Sequence, residues 1–133
     1  MIGLPGQTVE DLARDIVFYG EERLDMVGMG PYIPAPGTPL GVIDCTRRQS
    51  TAVELGLKMI ALTRLYLHGV NIVAATALEA LDPEGGRNRG IEAGANVVMP
   101  VLTPEKYRGG YDLYPGKAEA GLEAGDARRG EVT

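Results

Sequence analysis

Apolar positions recur along this chain in two alternating rhythms. Val9, Leu12, Ala13, Ile16 and Val17 repeat at helical spacing, and Thr8 ahead of Asp11 forms a candidate capping box, so a helix is expected from Thr8 to about Glu22. Asp25–Gly30 carries Met-Val-Gly-Met-Gly, apolar on both faces, as a buried parallel strand should be. Ser50 or Thr51 is the expected cap of a longer helix reaching about His68, with Thr51 and Glu54 as a second candidate capping box. In that helix Ala52, Leu55, Met59, Leu62 and Tyr66 lie along one face, and Leu57, Ile60 and Leu65 widen it, which predicts a well-buried element. Asn71–Ala75 reads as a strand ending at Thr76. Asp82 and Pro83 open a short helix that ends near Ala93-Gly94. Asn96–Met99 is a further strand, stopped by Pro100, and Met1–Leu4 reads as the last residues of another, stopped by Pro5-Gly6.

The order is β-α-β-α-β-α-β, an α/β chain of about four parallel strands with covering helices and right-handed crossovers. Such a set makes either a small open sheet or half of an eight-stranded (β/α)8 TIM barrel. The half barrel is favoured, because parallel edge strands tolerate exposure poorly and the loop after Pro100 is long and decorated. Two loops stand out. The run from Pro31 to Pro39 is too rich in proline for regular structure, and the stretch from Pro100 to Lys117 holds Tyr107, Tyr111 and Tyr114. In parallel α/β folds, sites form beyond the carboxyl ends of the strands, where these loops emerge. Clustered tyrosines there can wall a pocket. Residues 118–133 are polar and expected to fray.

Composition narrows the choices. The chain has 133 residues, is 44% hydrophobic and 23% charged, and carries a net charge of −5. These values fit one soluble domain and argue against nucleic acid and anionic membrane surfaces as partners. No stretch approaches a membrane span, and the first residues lack the features of a secretory signal, so the cytoplasm is expected. The single cysteine, Cys45, allows neither an intrachain disulfide nor a multi-cysteine metal site; it reads as an exposed bystander. His68, without a second histidine, reads as a cation complementing a helix C-terminus.

The segments Ile2-Gly-Leu-Pro-Gly-Gln-Thr-Val-Glu10, Met26-Val-Gly-Met-Gly-Pro-Tyr-Ile-Pro34, Ala75-Thr-Ala77, and Gly94-Ala-Asn-Val-Val-Met-Pro100 through Tyr114-Pro-Gly-Lys117 together resemble the radical S-adenosylmethionine maturases of [FeFe]-hydrogenase, the HydE family, close relatives of biotin and methylornithine synthases. The resemblance spans residues 1–117 and implies the C-terminal half of the barrel, with a biotin and thiamin synthase-associated region within about 70–117. It implies S-adenosylmethionine and a [4Fe–4S] cluster as cofactors. The family's CxxxCxxC cluster motif, in the N-terminal half of the barrel, is not in this sequence. A chain lacking that half is expected to be inactive alone, with no catalytic or metal-ligating residue of its own. By matching positions, Ile2, Gly3, Leu4, Met29, Gly30 and Pro31 would wall the adenosyl group. Thr76, Met99 and Tyr111 would line the cavity for a small cysteine-derived or organometallic iron substrate. Many relatives carry two threonines near position 76, whereas this chain has Ala75-Thr76-Ala77. Implied partners are the N-terminal half barrel and other hydrogenase maturases. Two alternatives stay open: another biotin synthase-like enzyme, and a non-catalytic half barrel that binds a partner through its open edges.

Overall fold

A computed structural model describes residues 1–42, 49–111 and 113–117. The elements are α1 (Val9–Glu21), β1 (Met26–Met29), α2 (Gln49–Tyr66), β2 (Asn71–Ala74), α3 (Thr76–Leu81), α4 (Gly86–Glu92) and α5 (Glu105–Arg108), followed by a 3-10 turn at Gly109–Tyr111. The strands β1 and β2 pair in parallel, Met26 opposite Asn71 and Met29 opposite Ala74. Two flanking segments each add a single parallel bridge, Ile2 with Pro31 and Val97 with Val73. Chain order and spatial order therefore coincide: each extended segment lies beside the next, as in a barrel wall. Among the described residues the sheet proper has two strands, and the segments expected as outer strands at Met1–Leu4 and Asn96–Met99 are reduced to those bridges. Gly3 at φ 81° and the Pro5-Gly6 turn end the first segment almost at once.

Helices cover one face of this sheet. Val27, Met29, Ile72 and Ala74 point into a core shared with Leu12 and Ile16 of α1, Val53, Met59 and Ile60 of α2, and Leu78 of α3. On the opposite face β1 is open, whereas Val73 of β2 is buried. Met26 is 53% exposed and Gly28 is exposed, so β1 is not buried on both sides as its composition implied. An all-apolar strand shows that both faces tolerate burial; only the presence of a second layer decides whether they obtain it.

The helix α1 follows its expectation closely. Thr8 accepts from the Asp11 amide through its hydroxyl, and the Asp11 carboxylate accepts from the Thr8 amide at 2.9 Å. Leu12 and Ile16 are buried, while Val9 and Val17 are not. The second helix departs more. It begins at Gln49, so Ser50 and Thr51 lie inside its first turn rather than capping it, and it ends at Tyr66, before His68. Its buried line runs Val53, Gly56, Met59, Ile60 and Thr63; Leu62, Leu65 and Tyr66 are more than half exposed. The helix is apolar nearly all round, so periodicity does not say which stripe meets the sheet. Its C-terminal cation is Arg64, and His68 is an exposed residue beyond the last turn.

Residues 76–81 form the helix α3, a stretch to which the sequence pattern assigns no element. Asp82 is accordingly the residue that ends α3 rather than the cap that starts α4, and Gly85 stands at the start of α4 instead. Its carboxylate accepts from the Gly85 amide at 3.3 Å and pairs with Arg89 at 3.1 Å. The two short helices pack closely because Gly86 has no side chain: a Cβ there would lie 2.2 Å from the Leu78 carbonyl oxygen. Arg87 and Glu79 form an ion pair across the same contact. Among the described residues no helix is long and apolar enough to cross a membrane. Cys45 and the stretch 118–133 lie outside the described residues.

Candidate functional site

Two cavities open at the carboxyl ends of the strands. The larger, about 780 Å³, is walled by Gly28, Met29, Gly30 and Pro31, by the proline-rich loop as far as Leu40, and by Leu113 and Tyr114. The smaller, about 420 Å³, is walled by Val73, Ala74, Met99–Thr103, Arg108 and Lys117. Ala75 and Thr76 line both. Volumes of this size suit small ligands.

The larger cavity owes its shape to missing side chains and one close helix contact. A Cβ on Gly28 would meet nothing within 4 Å, so the glycine leaves open space. A Cβ on Gly30 would approach Ala75 and Ala77 at 3.0 and 3.3 Å, so a side chain there would press on the start of α3. Gly56 lets α2 close on Pro31, whose Cδ lies 3.4 Å from the position a Cβ would take. Met29 is buried, and its sulfur accepts a long contact of 3.9 Å from the Thr63 hydroxyl. Its side chain is thereby held in the core while the residue still touches the cavity.

Of the residues matched to an adenosyl wall, Met29, Gly30 and Pro31 line the larger cavity together. Ile2, Gly3 and Leu4 do not; Met1 does. Ile2 is a core residue, 3% exposed, and its backbone stitches the segment to the cavity loop through Ile2 N–H to Gly30 O (3.0 Å) and Tyr32 N–H to Ile2 O (2.8 Å). Gln7 braces this segment: its side-chain oxygen accepts from the Gly3 and Leu4 amides at 2.6 and 3.2 Å. The adjoining Pro5-Gly6 turn was the only local hint of that role.

Of the residues matched to a substrate wall, Thr76 and Met99 line the smaller cavity together. Tyr111 lies in the 3-10 turn, and its side chain lies outside what is described. Two residues passed over as site candidates meet Thr76. Lys117 Nζ donates to Thr76 Oγ1 at 2.9 Å, and the Tyr114 hydroxyl lies 3.2 Å from the same oxygen. A turn places them side by side: Lys117 N–H bonds Tyr114 O at 3.0 Å, with Gly116 at φ 80°. Proline followed by glycine at positive φ is the signature of a type II turn, so Tyr114-Pro-Gly-Lys117 was legible as a unit. Its partner Thr76 was not.

The donor set does not suit an iron–sulfur cluster. Among the described residues no three His, Cys, Asp or Glu side chains come together, and the sequence holds one cysteine. The larger cavity, apolar in most of its lining and open over Gly28, does fit a nucleoside-sized group.

Two parallel strands covered by helices, with cavities beyond their carboxyl ends, define a mixed α/β protein. Direct comparison is more specific: the chain is 50% identical over 117 residues, 88% of its length, to the [FeFe] hydrogenase maturase subunit HydE of Thermotoga maritima. The resemblance inferred from the motifs is shown by this match. The matched region is 32% of that relative, so the chain spans about a third of the curated protein it matches. No family model matches the chain.

Proposed function

We propose that this chain forms one side of a radical S-adenosylmethionine barrel acting in [FeFe]-hydrogenase maturation, in the cytoplasm. In this reading the larger cavity takes the adenosyl group against Met29, Gly30 and Pro31, with Ile2, Gly3 and Leu4 supporting that wall from behind. The smaller cavity takes a small cysteine-derived or organometallic iron substrate against Thr76 and Met99, with Tyr111 nearby. An apolar wall without acidic or basic side chains suits adenosyl chemistry, since it offers little that could exchange a proton with a reactive group.

The observation that carries the reading is the 50% identity to the hydrogenase maturase, and the lining of adjoining cavities by Met29, Gly30 and Pro31 on one side and by Thr76 and Met99 on the other supports it. An iron–sulfur cluster held by the remainder of the barrel would supply the electron for reductive cleavage of S-adenosylmethionine. This chain contributes orientation and exclusion of water. The remainder of the barrel and the other hydrogenase maturases are its partners.

The test is direct. The purified chain, incubated with iron, sulfide, S-adenosylmethionine and a low-potential reductant, is expected to form no 5′-deoxyadenosine. The same chain joined to an upstream reading frame encoding CxxxCxxC is expected to form it and to support hydrogenase activation. Turnover by the chain alone, or inactivity of the cluster-loaded joined protein, overturns the proposal.

A further inference from the structure

The outward face of α1 carries a stripe with a distinct order of charge and apolar groups. Leu12 and Ile16 are buried in the core. On the other side of the helix Glu10, Arg14, Val17 and Glu21 are all exposed and follow one another at the spacing of a single helix face. Phe18, the one phenylalanine of the chain, stands beside Val17 and is 53% exposed. A large apolar side chain left in water within an apolar patch marks a surface for a partner. Leu62, Leu65 and Tyr66 of α2, each more than half exposed, widen that surface. Tyr66 reaches the end of α1, its Cε1 3.1 Å from where a Cβ on Gly20 would stand. Because the stripe points away from the core, completing a barrel would set neighbouring helices beside it and not over it. The charges at its ends are opposite and largely uncommitted. The Arg14 side chain is 81% exposed and comes no nearer to Asp11 than 3.6 Å. Among the described residues Glu21 forms no ion pair. Arg14 and Glu21 lie two turns apart, about 10 Å along the axis, too far to pair within one helix.

We propose that this face of α1 is a self-association surface whose occupant is a second copy of the chain, laid antiparallel across a two-fold axis. The order positive, apolar, apolar, negative is complementary to itself when reversed. An axis passing between Val17 and Phe18 sets each Val17 against the second copy's Phe18 and each Arg14 against the second copy's Glu21. Such an isologous contact makes every interaction twice, so two ion pairs flank an apolar centre. They also fix the register: a slip of one turn sets Glu10 against the second copy's Glu21, and like charges repel. A stable interface draws about 800 Å² from each copy. The helix α1 is only about 20 Å long, so the exposed α2 side chains are needed to approach that area, and association in the micromolar range is expected. The inference does not depend on the ligand assigned to either cavity.

Sedimentation velocity of the full chain over a micromolar concentration series is expected to show a reversible monomer–dimer equilibrium. Arg14→Glu and Glu21→Arg each oppose like charges twice, so each should weaken dimerisation about tenfold or more. The double variant restores opposite charges and should return to within about threefold of the wild type. Phe18→Ser should leave a monomer at the same concentrations, with the circular dichroism of the wild type. A second measurement holds even if a charge variant fails to fold. Val17→Cys in a Cys45→Ser background sits next to the axis and should join two copies by a disulfide under mild oxidation, whereas Glu92→Cys in the same background, on α4, should not. A chain that stays monomeric throughout the series overturns the proposal and leaves the stripe to a different partner. Association that ignores both charge reversals also overturns it and assigns self-association to the open strand edges. Failure of the double variant to recover, or equal cross-linking through positions 17 and 92, overturns the antiparallel register.

Discussion

Arg64 closes over Gly94. The guanidinium Nε donates to the Gly94 carbonyl at 2.9 Å, and a Cβ on Gly94, whose φ is 120°, would lie 2.8 Å from the Arg64 Cβ. The remaining nitrogens donate to the His68 and Val70 carbonyls, both at 2.8 Å, and to Asn96 Oδ1 at 3.1 Å. Asn96 in turn accepts from the Ile72 amide at 2.8 Å. One side chain therefore joins the end of α2, the entry to β2 and the turn after α4. This knot lies at the end of the sheet remote from the cavities, so it serves stability and leaves the site free to vary.

Arg64→Met is expected to destabilise the chain by about 2–3 kcal/mol, since several charge-assisted bonds are lost and carbonyls are left unpaired. Lys at this position should recover little, because a single ammonium cannot reproduce the planar fork. Gly94→Ala should also destabilise, through the positive φ and the collision with Arg64. The double variant should fall short of the sum, as residues in contact are not additive. Denaturant unfolding of the four proteins checks this; strict additivity would show that Arg64 and Gly94 do not act together.

Leu78 is fully buried and is approached by three glycines, Gly56, Gly86 and Gly90. Leu78→Ala is expected to cost about 2–5 kcal/mol by leaving a cavity. Gly86→Ala is expected to cost about 1–3 kcal/mol by overpacking, since its new methyl would collide with the Leu78 carbonyl. Thermal unfolding distinguishes them from Gly28→Ala, for which the structure offers open space.

The start of α1 should respond to acid. The Asp11 carboxyl is held below its ordinary value, chiefly by the Thr8 amide and next by the Thr8 hydroxyl. A lowered folded pKa means the stabilisation is complete above the unfolded value near 3.8 and fades as pH falls toward the lower folded value. Amide exchange in the first turn of α1 should therefore quicken below about pH 4. Asp11→Asn should abolish that pH dependence. Thr8→Ala should cost about 1 kcal/mol at neutral pH, the usual worth of an N-cap.

Gly28 separates stability from binding. Gly28→Val should change unfolding free energy by less than about 0.5 kcal/mol, as its side chain enters open space. The same methyl groups enter the larger cavity, so binding of S-adenosylhomocysteine, followed by calorimetry, should fall. Unchanged affinity would remove Gly28 from the proposed adenosyl wall.

Much of this protein was written locally. The Thr8–Asp11 capping box acts over three residues, and both partners are where the pattern put them. The Tyr114-Pro-Gly-Lys117 turn, the strand–stop–loop punctuation and the family resemblance are equally short-range or ordered along the chain. They can be read because each depends on neighbours in sequence. Tertiary structure decided what those signals leave open. Periodicity could not choose between Leu62 and Thr63 on a helix apolar nearly all round; packing against Met29 did. Composition could not say that β1 has one open face, because burial depends on a second layer and not on the strand. The meeting of Thr76 with Lys117 arises only when a distant loop folds back over α3. Its reason is geometric: contacts between layers are selected by shape and satisfied polarity across space, and no spacing along the chain records them.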